Sequence, residues 1–395
     1  MADNLRRVQL EICRSIAGRR DTDVALSSLD DPTWHELLRF LDENGLTLLF
    51  RRRFAHAALP GWISQRLEKN FRDNQKRYET ILTQQAEILR AFAEKNIETT
   101  LLKGTALARQ THPDPSDRVQ YDFDFLVRPD QLRRAEAILA NQGYRRDSRQ
   151  TPDHVCMVPP EKYRWTGNFF DPRIPLKVEL HDCLWHNHYR IDLDGLLSSP
   201  ETVPAKNIGL QPARILSPVD QFLFLNLHFF RHLFQNQVRL SHLFEIAILL
   251  EQFEVWPSVL ERTKESRAGQ QILILNWRLL AQLFGMPEKK LSSPIDDVDL
   301  PTTVQIWLER DAVDDLLSRF SRNKNYVRLQ MEFSQTPWLV LRDALRVHRP
   351  PPPARVRYEM QGSGTRRLPI QYAVYCLQKI WEHLRGYFRL MFKTR

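Results

Sequence analysis

At 395 residues, with 42% hydrophobic and 10% aromatic content, the chain is too long for one small core and too apolar for a disordered polymer. The formal charge of +9 is set by residues 342–395, which hold 12 Lys or Arg against 3 Asp or Glu, so a basic surface for nucleic acid or anionic lipid is confined mainly to that end. Four scattered cysteines without a CxxC pair exclude a disulfide scaffold, no run of about 18 apolar residues marks a membrane helix, and the charge-interrupted N-terminus lacks a signal-peptide core, which together point to a reducing cytoplasm.

From Asn4 to about Asn96 the apolar residues recur at three- and four-residue spacing, as in Trp34, Leu37, Leu38 and Leu41, with few Gly or Pro. Asp31-Pro32-Thr33 is a helix start, and residues 67–93 read as one long helix with Ile81, Leu82, Ile88, Leu89 and Phe92 turned inward. Residues 1–96 are therefore expected to form a helical N-terminal region without chemistry of its own.

The texture then changes to short strands alternating with helices, and residues 97–200 are expected to form an α+β core. Residues 97–102 are β-like, 106–111 helical and 121–127 a buried strand. Pro129-Asp130 opens a helix that Gly143 terminates. Residues 155–158, 163–170 and 175–184 read as strands, with turns at Pro159-Pro160 and Asp171-Pro172. Helical periodicity returns across a C-terminal domain, 201–348, with a loop expected at 294–301. Residues 349–395 make a Pro-rich linker and a basic amphipathic tail. The fold class is thus α+β, a small mixed sheet embedded in mostly helical N- and C-terminal regions.

The chemistry concentrates in residues 99–127. Asp122 and Asp124 alternate along a strand, so they project from one face while Phe123 and Phe125 enter the core. Alternating acids also occur on solvated strands, but the aromatic neighbours here indicate a central strand, where unpaired charges are costly. A second strand, Lys177-Val178-Glu179-Leu180-His181, offers Glu179 as a third carboxylate and general base. Before the first acid, Gly104 allows close backbone approach to a phosphate and Thr105 offers a hydroxyl at the start of a helix, where a capping role explains it equally well. Lys103 and Arg118 suit either the phosphates or the same carboxylates. Clustered acids beside a phosphate cradle are the donor set for Mg²⁺ or Mn²⁺ in nucleotidyl transfer.

The runs LLKGTALARQ, YDFDFLV, NQGYR and KVELHDCLW resemble the uncharacterised nucleotidyltransferase family of the DNA polymerase β-like superfamily. The Lys-Gly-Thr turn is also similar to that of nucleotidyltransferase toxins, and LSPVDQFLFLNLHFFRH to the helical region that follows the catalytic domain. The resemblance covers about residues 97–250. It implies metal ligation by Asp122, Asp124 and Glu179, and nucleotide binding by Lys103, Gly104, Thr105 and Arg118. Thr105 stands where many members have Ser, and Glu179 where Asp is common; both keep the needed functional group.

The expected activity is metal-dependent transfer of NMP from an NTP donor to a hydroxyl or phosphate acceptor on a small molecule, RNA or protein. One alternative is a non-catalytic nucleotide- or RNA-binding protein whose basic tail contacts an anionic surface. Another is a nucleotide-sugar glycosyltransferase, which the helical N-terminal region disfavours. His181, Cys183, His186 and His188 are close enough to suggest zinc, yet a closed site usually draws on two separated ligand pairs. His228 and His232 share one face of a helix and suit a core, a surface or the active cleft.

Overall fold

The computed structural model describes residues 2–337 apart from 20–25, 148–153, 187–190, 192, 194, 209, 211, 235–236, 288–297 and 319–324, together with 373, 374 and 377. The basic tail, and with it the anionic-surface contact expected there, lies almost wholly outside the described residues.

Four helices lead the chain: α1 (Ala2–Ile16), α2 (Asp31–Asn44), α3 (Thr47–Arg53) and α4 (Gly61–Glu94). The cap of α2 falls one residue earlier than the sequence suggests: the Asp30 carboxylate accepts from the Thr33 amide at 3.0 Å, and Asp31-Pro32 form the first turn. The expected long helix is α4, 34 residues without a break.

The α+β unit follows as β1 (Thr99–Leu101), α5 (Gly104–Thr111), β2 (Asp122–Val127), α6 (Leu132–Asn141), β3 (Arg145–Arg146), β4 (Val155–Val158), β5 (Lys177–His181), β6 (Thr202–Pro204) and β7 (Arg214–Leu216). The strands form one seven-stranded mixed sheet in the order β3-β4-β5-β2-β1-β7-β6, with β2–β5 and β1–β7 parallel. Beyond it lie α7 (Pro218–Phe234), α8 (Leu240–Gln252), α9 (Trp256–Thr263), α10 (Arg267–Phe284), α11 (Thr302–Arg310), α12 (Ala312–Leu317) and α13 (Asn325–Phe333). This is the α+β class with helical flanks.

Two expectations fail: the sheet runs past residue 200, with β6 and β7 inside the stretch expected to be helical, and residues 163–170 are not a strand but part of an irregular connection between β4 and β5. Pro159-Pro160 cannot continue the β4 ladder, and Gly167 turns the chain at φ 93°. Side chains hold the connection instead, with Tyr163 donating to Asp171 Oδ2 at 3.0 Å and Tyr121 donating to the Phe169 carbonyl at 3.2 Å.

Alternation divides the sheet. Phe123, Phe125, Val178, Leu180 and Met157 face a core closed by Ile88, Leu89 and Phe92 of α4 and by Ala135 and Leu139 of α6. The opposite face carries Asp122, Asp124, Glu179 and His181. A second, larger core joins Ile12, Trp34 and Phe50 near the start of the chain to Phe229, Phe230, Leu243, Leu275 and Trp307 near its end. Helix α4 contributes to both, with Ile63 and Leu67 in the helical core and Ile81 to Phe92 over the sheet.

Candidate active site

The site begins where β1 ends. The Leu102 amide donates to the Asp124 carbonyl at 3.2 Å, continuing the antiparallel pairing for one residue before the chain turns into α5. The turn requires Gly104: its φ is 63°, and a Cβ there would lie 2.6 Å from Gln120 Nε2. Gln120 is itself fixed, donating to the Asp122 carbonyl at 2.7 Å. The turn therefore directs Lys103 back over β2, where its ammonium lies 3.0 Å from Asp124 Oδ1.

Strand β2 sits in the middle of the sheet, and in the parallel β2–β5 register Asp124 is opposite Glu179 while Asp122 is opposite Lys177. The alternation thus brings Asp122, Asp124 and Glu179 to one face. Burial, then the charges of Asp124 and Glu179, push the Asp122 carboxyl up to about 7 against the pull of Lys103 and Arg239. Asp124 is buried too, which alone would raise it, but Lys103 and His181 hold it well below the usual carboxylate range. For Glu179 burial is likewise outweighed by His154, whose Nε2 lies 3.4 Å from Oε2, and the carboxyl is lowered. Crowded acids that resist joint ionisation are an oxygen donor set whose repulsion a hard divalent cation such as Mg²⁺ or Mn²⁺ would relieve.

These side chains open into a cavity of about 790 Å³ whose far wall is helical: His228, Arg231 and His232 from α7, and Arg239, Ser241, His242 and Glu245 from and before α8. Arg239 lies over the Tyr121 ring at 4.8 Å. The ring centroids of His228, His232 and His242 lie 4.2 to 5.4 Å from one another, one pair edge-on and two tilted. Burial, and then Lys103 or a neighbouring imidazole, holds all three well below the ordinary histidine value, so they are neutral. Each has a buried Nδ1 without a hydrogen-bond partner among the described residues, as does Glu245 Oε2, leaving polar capacity for water or a ligand.

The structure brings Lys103, Asp122, Asp124 and Glu179 together. Arg118 also lines the cavity, but its guanidinium is paired with Glu245 at 2.6 Å. Gly104 shapes the turn beside Gln120. Thr105 faces away from the acids: its buried hydroxyl donates to Gln85 Oε1 of α4 at 2.6 Å. Of the suggested zinc set, His181 turns to Asp124 at 3.3 Å, while Cys183 and His186 cluster with Asp182 beyond β5. His188 lies outside the described residues.

His154, Arg239 and His242 were not singled out by sequence. His154 immediately precedes the short strand β4, and Arg239 and His242 reach the cavity only through the packing of α8 on α7. The one signal in the sequence is the four-residue spacing of His228 and His232, with Arg239 seven residues further on.

A family model described as "Uncharacterised nucleotidyltransferase" matches residues 30–285, which takes in α2 to α4 before the sheet and α7 to α10 after it. No curated protein and no solved structure matches the chain.

Proposed function

The chain belongs to the uncharacterised nucleotidyltransferase family, and on that premise we propose that it transfers an NMP unit from an NTP to a hydroxyl or phosphate acceptor, releasing pyrophosphate. The observation that carries this reading is the convergence of Asp122, Asp124 and Glu179 on one face of adjacent parallel strands, lining a cavity of about 790 Å³. Asp122, Asp124 and Glu179 would hold Mg²⁺ or Mn²⁺, which when bound offsets triphosphate charge and makes the acceptor hydroxyl more acidic.

The remaining work falls to the chain's own groups. An acceptor oxygen forms a bond to the α-phosphorus, the bond from that phosphorus to the β-bridging oxygen breaks, and pyrophosphate leaves with the electron pair. Glu179 takes the acceptor proton. Lys103 holds the Asp124 carboxylate in its ionised form. Arg239 and Lys177 reach the same cavity beside Asp122 and neutralise phosphate oxygens, a role Arg118 joins if Glu245 releases it. The helical far wall, with its neutral imidazoles and buried acceptor atoms, binds the acceptor.

The test is incubation of purified protein with Mg²⁺ and each of four labelled NTPs in the presence of a host extract, following where label goes. Label should pass to an acceptor with the parent protein and not with the Asp122→Ala, Asp124→Ala double variant. Equal transfer by both proteins would refute the assignment.

A further inference from the structure

We propose that His154, Glu179 and His181 form a second cation position at the edge of the same cavity, sharing Glu179 with the acid cluster and selective for a divalent transition metal of the zinc type over Mg²⁺. Its role in catalysis rests on the transfer reading above, whereas its existence does not.

The three residues come from two parts of the chain. Glu179 and His181 alternate on β5 and share its polar face, and His154 enters beside them just ahead of β4, the antiparallel neighbour of β5. One ligand atom from each lies within 4.8 Å of the other two. The His154 and His181 rings approach to 5.0 Å between centroids, so the imidazoles converge. Their side chains are 10% and 5% exposed, and that of Glu179 is 19% exposed, which places the group in the wall and not on the outer surface.

His154 Nε2 lies 3.4 Å from Glu179 Oε2, and His181 Nε2 lies 3.3 Å from Asp124 Oδ1. A charge-assisted N–H···O bond settles at about 2.7–2.9 Å. Ligand atoms at the corners of a tetrahedron with bonds of about 2.1 Å stand about 3.4 Å apart. The His154–Glu179 separation is long for the first arrangement and suited to the second.

Donor chemistry selects the ion. Mg²⁺ prefers an all-oxygen octahedron and retains its waters, whereas imidazole nitrogen favours zinc and its neighbours in the first transition row. Two imidazoles and one carboxylate leave a further position open toward the cavity, the usual form of a zinc site that meets substrate. Asp124 Oδ1 is engaged by Lys103 at 3.0 Å and meets His181 Nε2 at 3.3 Å, so the all-oxygen pair Asp122–Asp124 and the imidazole position adjoin while offering different donor atoms. An occupied imidazole position would fix Glu179 from the side opposite the aspartates.

The full-length chain, stripped with a chelator, is titrated with Co²⁺ at about pH 7.5. The expected result is one equivalent bound with visible d–d absorption, displaced by one equivalent of Zn²⁺ and untouched by millimolar Mg²⁺. His154→Ala and His181→Ala should each weaken Co²⁺ binding at least about tenfold, and Asp122→Asn by less than about twofold. His154→Gln, checked by circular dichroism melting, repeats the test in a variant that keeps polarity and bulk. Competition by Mg²⁺ at the same concentration as Co²⁺, or Co²⁺ binding indifferent to both histidines, overturns the proposal. Labelled-nucleotide transfer measured on the same proteins separates the two ideas. If Co²⁺ follows the histidines but no nucleotide is transferred, the transfer reading falls and the metal position stands. If transfer needs Asp122 but Co²⁺ ignores the histidines, the transfer reading stands and the metal position falls.

Discussion

Arg77 holds the carbonyl of Gln120 with two nitrogens, Nε at 3.0 Å and Nη2 at 2.8 Å, while its Nη1 donates to the carbonyls of Asp171 and Ile174 at 3.0 Å each. One buried guanidinium on α4 thereby pins the chain two residues before Asp122 and again shortly before β5. The planar fork suits several carbonyls at once, which an ammonium does not. Arg77→Met should leave these carbonyls unpaired in the interior and lower the unfolding free energy by about 3–5 kcal/mol. Arg77→Lys should recover only part of that. Urea denaturation of the three proteins checks the order.

Asp122→Asn should act on activity and stability with opposite signs. Nucleotide transfer should fall at least about 10³-fold, since removing a metal ligand sacrifices several kcal/mol of charge stabilisation. The metal-free protein should gain about 1–3 kcal/mol at pH 8, because a buried carboxylate facing two others is no longer forced to ionise. The sign follows from the raised value. The unfolded chain loses this proton near the ordinary 3.8 and the folded chain near about 7, so metal-free stability falls as pH rises through that window. Melting curves at pH 5 and pH 8 without metal should show the parent losing stability where the Asn variant does not.

Metal binding should release a proton below that same value. At pH 6 Asp122 carries a proton in the metal-free state and must give it up, whereas at pH 8 it does not. Apparent Mg²⁺ affinity should therefore fall about tenfold for each pH unit below about 7. Calorimetry at pH 6 in two buffers of different ionisation enthalpy reads the proton directly, and the same pair at pH 8 should agree.

Gly104→Ala should disturb the turn in two separable ways. The left-handed backbone, at φ 63°, disfavours any Cβ by about 1 kcal/mol, and Gln120 Nε2 stands 2.6 Å from where that Cβ would lie. A double-mutant cycle with Gln120→Ala measures the steric part, which should recover about 1 kcal/mol or more, while the backbone part persists. Transfer activity should drop in both Gly104 variants, since Lys103 depends on the turn for its aim at Asp124.

Much of this architecture is legible in the sequence because it depends on local period. The alternation around Phe123 and Phe125 places Asp122 and Asp124 on one face, and the same alternation on β5 adds Glu179. The long periodic run predicts α4. Strands of two or three residues, such as β3, β6 and β7, exist only through pairing with partners and leave no periodicity to read. Residues 163–170 mislead for the opposite reason: aromatic composition suits a strand, but Tyr163 is engaged by Asp171 instead of a neighbouring strand. The partner of Arg118 proved to be Glu245, 127 positions away, and Thr105 proved to be tied to α4. Both depend on long-range packing, which spacing alone does not encode.

Helix α4 leaves no seam along which the sheet could be cut out. Its last turns supply Phe92, whose ring meets Phe125 edge-on at 6.0 Å, and its middle supplies Arg77. Its first turns are committed to Ile63 and Leu67 in the other core. A fragment starting at the first strand would expose the aromatic underside of the strand that bears the two aspartates. The smallest portable unit must therefore carry this helix, and with it a claim on the helical body. In such a protein the aspartate-bearing strand and its scaffold form one unit, and a graft into another host would have to bring both.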